Sequence, residues 1–130
     1  MLSNKAETEP VTPSVEETRK ALIALAIDSW RFARLFGRVL TKLDAVEATR
    51  FSNQLRYFSK NLEEHLEAAN LKIVTLEGQL YDPGVAASPL NIGDFGANDV
   101  LIVGQMVEPI IMGHDGVVRP GIVMLQKVVT

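Results

Sequence analysis

The amino-acid sequence predicts an α+β fold, in which paired long helices are followed by a small β-rich domain. Between residues 14 and 70, apolar residues recur every three or four positions, as they do along one face of a helix. From residue 71 onward, short aliphatic runs alternate with glycine and proline, as in strands joined by turns. We therefore predict a disordered tail at 1–13, a helical region at 14–70 and a β domain at 71–130.

The first helix has a clear N-terminal signal. The tail before it lacks apolar periodicity, and Pro10 and Pro13 disfavour a helix there. Ser14 and Glu17 have the spacing of a capping box, in which each side chain bonds a free amide of the first turn. The apolar stripe that follows consists of Val15, Leu22, Leu25, Trp30, Ala33, Phe36, Leu40 and Leu43.

A second helix signal begins at Asp44, with Glu47 three residues later, so we expect a break or bend there. The apolar stripe after it consists of Phe51, Leu55, Phe58, Leu62, Leu66 and Ala69. Asn70 is a typical C-terminal stop. The first helix alone would be about 40 Å long, which exceeds the reach of a small domain. Such helices usually bury their stripe against a copy of themselves, so the length favours a homodimer.

The β domain is expected to begin with strands at 71–76 and 100–107. Pro109 interrupts the second strand or places a bulge in it, because proline cannot donate a hydrogen bond to a neighbouring strand. Between the two strands, residues 79–98 contain three glycines and two prolines. This composition predicts a loop with little regular structure.

A hairpin and a closing strand follow. Residues 110–112 and 117–118 flank the segment Gly113-His114-Asp115-Gly116, whose Asp-Gly pair is a strong hairpin-turn signal. Residues 122–128 have the aliphatic composition of a last strand.

Composition argues against two classes of partner. The net charge is −3 and the basic residues are scattered among acidic ones, whereas a nucleic-acid binder concentrates them on one face. The longest apolar run, Ala21–Ile27, has seven residues, and a membrane-spanning helix needs about 20. Without cysteine, and without a signal-peptide pattern at the N-terminus, the chain is expected to be cytoplasmic.

No residue pattern predicts an enzyme. His65 lies among Glu63, Glu64 and Glu67 on a charged helical face, where solvated histidines are ordinary, and His114 occupies a predicted turn. The glutamates lack a second group of ligands, and no glycine-rich phosphate loop precedes a helix. We expect no catalytic residue, no metal and no cofactor.

Three motifs follow one another in the C-terminal half. They are Leu80-Tyr81-Asp82-Pro83-Gly84-Val85-Ala86-Ala87, Asp99-Val100-Leu101-Ile102-Val103-Gly104-Gln105 and Asp115-Gly116-Val117-Val118-Arg119-Pro120-Gly121-Ile122-Val123-Met124-Leu125. Their order and spacing resemble the β domain of the GrpE family of nucleotide-exchange cochaperones. Upstream, residues 32–44 and 51–69 are similar to the helical segments that precede that domain.

The resemblance implies a cochaperone whose β domain binds the nucleotide-binding domain of a chaperone-type ATPase, DnaK-like or actin-like, and promotes nucleotide release. Where the family has His-Glu after the Asp-Pro turn, this chain has Ala86-Ala87, and Gln105-Met106-Val107-Glu108 replaces Gln-Lys-Gly-Tyr. These departures favour a dedicated partner. They also leave open a second interpretation, an adaptor or assembly subunit that binds such an ATPase without exchange activity.

The expected partner-binding residues lie on or near the predicted hairpin. They are Gln105, Met106, Met112, His114, Asp115 and Arg119. The methionines suit an adaptable interface, although filling of the core is an alternative role for them. Arg119 has an alternative structural role at the edge of the closing strand.

The helical stripes have two interpretations. They pack the two helices of one chain together, or they form the four-helix seam of a dimer, as the resemblance implies. The residues expected at the dimer interface are Trp30, Phe36, Leu40, Phe51, Leu55, Phe58 and Leu62. Burial of each large side chain contributes about 1.5–3 kcal/mol in both arrangements, so this magnitude does not distinguish them.

Overall fold

A computed structural model describes residues 10–129 and confirms the predicted α+β class. Residues 10–14 are exposed and lack regular secondary structure, and the rest of the predicted tail, 1–9, lies outside the described residues. The elements are α1 (Val15–Leu40), α2 (Ala45–Ala68), β1 (Lys72–Val74), β2 (Ala87–Pro89), a 3₁₀ helix (Ile92–Asp94), β3 (Leu101–Glu108), β4 (Ile110–Gly113), β5 (Gly116–Arg119) and β6 (Gly121–Lys127).

The helix boundaries follow the predicted capping signals. Ser14 and Glu17 form the capping box, with each side chain accepting from the other's backbone N–H. Asp44 accepts from the Glu47 N–H and starts α2, so the expected break is confirmed. Asn70 adopts a left-handed conformation (φ 60°), and Leu71 N–H returns to the Leu66 carbonyl. Local hydrogen bonds therefore define where each helix begins and ends.

The two helices form an antiparallel hairpin within one chain. The rings of Phe36 and Phe51 pack edge to face with centroids 6.3 Å apart. Gly37 lies beside Leu55, whose Cδ2 is 3.6 Å from the position of an added Cβ. This is an ordinary contact distance, so the spacing of the two helices does not require glycine at position 37.

The β domain consists of two three-stranded sheets, in the orders β1-β4-β5 and β2-β6-β3. Strands β3 and β4 are consecutive, and the buried Pro109 between them marks the point where the chain passes from one sheet to the other. The segment 79–98, predicted to have little regular structure, contains two short elements that the sequence did not reveal: β2, which pairs in parallel with β6, and a 3₁₀ helix. This pairing joins segments far apart in sequence, which local composition does not encode.

The core has two parts. The first contains Ile23, Ala26 and Ile27 of α1, Leu66 of α2, Leu71, and Ile111 of β4. The second contains Leu101, Val103, Met106, Ile110, Val123 and Leu125, and Trp30 packs against it from α1. Because α1 contributes to both, the helical hairpin and the β domain form one packed structure.

The residues expected at the dimer interface have a different main role. Leu40 is buried, Phe36, Phe51, Leu55 and Leu62 are half-buried, and Trp30 packs against the β domain. Of the seven, Phe58 is the one that remains largely exposed. The seam predicted between two chains is therefore mostly the contact between α1 and α2 within one chain.

Candidate partner-binding surfaces

The β4–β5 hairpin presents His114 and Asp115 at an exposed tip, and the predicted turn is confirmed. Its closing residue, Gly116, has a φ of 134°, a value that favours glycine. His114 also lines an open groove of about 600 Å³ with Glu63 and Glu67 of α2. This end of the molecule combines an exposed imidazole with carboxylates, a polar surface suited to protein contact.

Met106 does not belong to an exposed surface. The β3–β6 pairing shifts register between Val103 and Gln105, around the exposed Gly104. Because side chains alternate along a strand, the extra residue turns Gln105 outward and Met106 inward. Met106 is 2% exposed and lies in the second core cluster, so its prediction as a partner-binding residue is corrected.

The other predicted contact residues lie apart from one another. Gln105 lines a groove between α1 and β3, whereas His114 lines the groove beside α2. Met112 is half-buried against the second core cluster. Arg119 donates to the Glu108 carboxylate at 3.0 Å, so it has a structural role. Thus the exposed residues Gln105 and His114 do not share one groove.

Ion pairs across the groove between α1 and β3 connect the helical hairpin to the β domain; we call this contact the joint. Arg34 of α1 bonds the Glu77 carboxylate, which also accepts from the Met106 N–H at 3.2 Å. Arg31 lies 3.6 Å from Glu108, the carboxylate that Arg119 also bonds. Arginines of α1 thus pair with carboxylates of the β domain, so most charged side chains at this groove already have a partner within the chain.

The outer side of the helical hairpin carries exposed apolar residues that the predicted stripe mostly missed. This outer apolar face consists of Leu25, Phe32, Leu35 and Val39 of α1 and Phe58 of α2. Phe32 is 65% exposed. Phe32 and Phe58 line a groove of about 290 Å³ between the helices. The signal in the sequence is the seven-residue spacing of Leu25, Phe32 and Val39, which places them on one helical face.

A second apolar groove, of about 680 Å³, lies between the segment after β1 and the start of β3. We call it the loop groove. It is lined by Leu80, Tyr81, Asp82, Pro83, Ile92, Phe95, Gly96, Ala97, Asp99, Val100 and Leu101. Leu80, Ile92 and Val100 are 67%, 49% and 57% exposed. The sequence analysis missed this surface because it predicted little regular structure for residues 79–98.

The residues around the loop groove are held by specific hydrogen bonds. The Asn91 side chain bonds both the N–H and the C=O of Leu125 in β6, at 2.8 and 3.0 Å. Asp82 accepts from the Gly84 N–H at 2.6 Å. Asp99 accepts from the Gly96 N–H at 2.8 Å, which holds the pKa of Asp99 below its ordinary value, and Lys127 at 3.3 Å acts in the same direction.

The described residues 10–129 contain no group of three His, Asp or Glu side chains placed to hold a metal ion. His65 is exposed on α2. Neither α1 nor α2 combines the length and apolar character needed to cross a membrane. No protein-family model, curated protein or solved structure matches the chain.

Proposed function

We propose that this protein is a GrpE-like cochaperone, a homodimer whose β domain binds the nucleotide-binding domain of a chaperone-type ATPase and promotes nucleotide release. This function requires the protein only to bind its partner, and no bond is made or broken by it. A protein that binds the cleft-open state of the ATPase more tightly than the closed state shifts the equilibrium toward opening. Nucleotide then leaves faster, without bond chemistry by the cochaperone.

The motif order of the C-terminal half supports the cochaperone part of the proposal, and the outer apolar face supports the dimer. The five large side chains of this face are all more than 40% exposed, and they lie along one side of a helical hairpin. Soluble proteins that expose a contiguous apolar patch commonly use it for association. A second hairpin laid against it would complete a four-helix bundle, the arrangement that the resemblance implies. We therefore propose that the dimer forms through the outer apolar face and not through the stripe predicted from the sequence.

The β domain supplies the surface proposed to contact the ATPase. His114 and Asp115 form the exposed tip of a two-stranded hairpin, and His114 lines a groove with Glu63 and Glu67. At the other end of the hairpin, Arg119 donates a hydrogen bond to Glu108. A polar tip that is already ordered loses little conformational freedom when it binds a partner.

The test is the affinity for the ATPase in its nucleotide-free and ADP-loaded forms, measured by titration calorimetry. Exchange activity requires tighter binding to the nucleotide-free form, because ADP and the cochaperone must weaken each other's binding by the same factor. His114→Ala should weaken binding. Leu90→Ser, an exposed change elsewhere in the β domain, is the matched control. Equal affinity for both forms would contradict the proposal.

An adaptor without exchange activity is the second candidate, and the separation of Gln105 from His114 favours it. Residues on two sides of the domain suit a subunit held between two neighbours. Such a protein would bind both nucleotide states of the ATPase equally, so the same titration decides between the candidates.

A further inference from the structure

We infer that the loop groove is a docking site for a polypeptide segment that carries basic and apolar residues. This inference does not depend on the proposed function, because its surface contains neither the outer apolar face nor the β4–β5 hairpin. The occupant is identified by the chemistry of the groove, which combines exposed aliphatic side chains with carboxylates.

The apolar part of the site is formed by side chains that the fold leaves uncovered. Leu80, Ile92 and Val100 come from three separate places in the sequence, and each is about half exposed or more. They line one groove with the half-buried Tyr81 and Phe95. Isolated exposed aliphatic residues are ordinary, but their convergence in one groove is typical of an interaction surface.

Most of the charge around the groove is negative. Asp82 and Asp99 line it, and Asp94 lies in the 3₁₀ helix that begins with the lining residue Ile92. The sequence has no lysine or arginine between residues 73 and 118. Lys127, from β6, pairs with Asp99. The carboxylates of Asp82, in the lining, and Asp94, next to the lining residue Phe95, thus remain to attract cations. A partner with lysine or arginine beside apolar residues matches both the negative charge and the apolar surface.

The groove is also preformed. The double hydrogen bond from Asn91 fixes the middle of the loop to Leu125, and Tyr81 N–H bonds the Leu101 carbonyl at 2.9 Å. A surface that is ordered before binding loses little entropy when a ligand arrives. The hydrogen bonds therefore order the loop that supplies exposed side chains to the groove.

The experiment uses the full chain and a short fluorescein-labelled peptide of alternating lysine and leucine, followed by fluorescence anisotropy. Peptides that alternate glutamate or serine with leucine, in the same pattern, are the probes for charge. Leu80→Ser and Ile92→Ser should each weaken binding of the lysine peptide about tenfold, because each removes an exposed anchor. Leu90→Ser is the matched control, since Leu90 is 62% exposed in the same loop but does not line the groove.

A charge variant separates attraction from apolar contact. Asp82→Asn keeps an oxygen that can accept from Gly84 N–H and removes one negative charge. It should weaken the lysine peptide several-fold and reduce the salt dependence of binding, whereas Asp115→Asn, at the hairpin tip, should not. Amide chemical-shift changes should centre on Leu80, Ile92 and Val100.

Equal binding of the lysine and glutamate peptides would overturn the inference, as would equal weakening by Leu80→Ser and Leu90→Ser. Self-association of the protein that is lost in Leu80→Ser would also overturn it, because the groove would then be an interface between copies of this chain. Circular dichroism of each variant excludes unfolding, which is not expected because the substituted side chains are exposed.

Discussion

Arg34 of α1 and Glu77, which follows β1, form an ion pair that joins the helical hairpin to the β domain. The Glu77 carboxylate also accepts the Met106 N–H of β3 at 3.2 Å, so one side chain bonds two elements. Arg34 in turn lies over the Trp30 ring, 4.6 Å from its centroid. The orientation of the hairpin relative to the β domain depends on this joint as well as on the shared core.

The joint can be tested with a double-mutant cycle on Arg34→Ala and Glu77→Ala. Both side chains are about one third exposed, so solvent screens the pair and its coupling energy should be about 0.5–1 kcal/mol. Glu77→Ala should cost more than Arg34→Ala, because it also leaves the Met106 N–H without its acceptor. Urea unfolding measures each term. A coupling energy near zero would show that the ion pair does not stabilise the contact between the hairpin and the β domain.

Two glycine substitutions should have opposite effects on stability. Gly37→Ala should raise the free energy of unfolding by about 0.5–1 kcal/mol, because alanine favours the helix and its Cβ meets Leu55 at an ordinary distance of 3.6 Å. Gly113→Ala should lower it by about 1–3 kcal/mol, since the Cβ would lie 2.6 Å from Val118 Cγ2. Thermal and urea unfolding check both signs. Destabilisation by Gly37→Ala would mean that the helices pack more tightly than described.

Charge placed on the outer apolar face should break the proposed dimer. Phe32→Asp puts a carboxylate at the centre of that face, where burial against a second chain would be costly. The side chain is exposed in the single chain, so folding should be unaffected. Sedimentation equilibrium should give a dimer for the natural sequence and a monomer for the variant. Val117→Asp, exposed on β5, should remain dimeric, and a monomeric natural protein would contradict the dimer outright.

The pH dependence of stability should have a contribution from Asp99. Hydrogen bonding from Gly96 N–H, and to a smaller extent Lys127, lowers the pKa of Asp99 in the folded state from the ordinary value of 3.8. Its contribution is therefore fully present above about pH 4 and is lost as the pH falls through the lower, folded-state pKa. Melting temperatures measured across this acidic range should fall less steeply for Asp99→Asn.

Lys127→Gln provides the control, since it removes the smaller cause and leaves the Gly96 hydrogen bond in place. Its acid profile should stay closer to that of the natural sequence. Profiles of Asp99→Asn and the natural protein that run parallel throughout would contradict the assignment.

The features that the sequence predicted correctly are those encoded by neighbouring residues. Ser14 with Glu17, Asp44, and the Asp115-Gly116 turn each depend on hydrogen bonds or backbone angles within a few positions. The periodicity of α1 and α2 identified Phe36 and Phe51 as residues that pack between helices, but it missed the buried Ile23, Ala26 and Ile27 and included the exposed Leu25. It did not identify the partner helix, because packing within one chain and between two chains buries the same apolar stripe.

The errors have a different origin. Met106 was assigned to the surface because the bulge at Gly104, which reverses the alternation of side chains, is visible only when β3 is paired with β6. Strand β2 was missed because its parallel pairing with β6 depends on residues more than thirty positions away. The loop groove could not be predicted either, because Leu80, Ile92 and Val100 come together only in the folded chain.

Nucleotide release from the partner ATPase tests the central claim most directly. The ATPase that co-purifies with this protein would be loaded with fluorescent ADP, and dissociation would be followed by stopped flow with and without the protein. We predict an acceleration of about tenfold or more, in the range of typical coupling between sites, that His114→Ala reduces and Leu90→Ser leaves intact. Tight binding with an unchanged dissociation rate would contradict the exchange function and leave the adaptor.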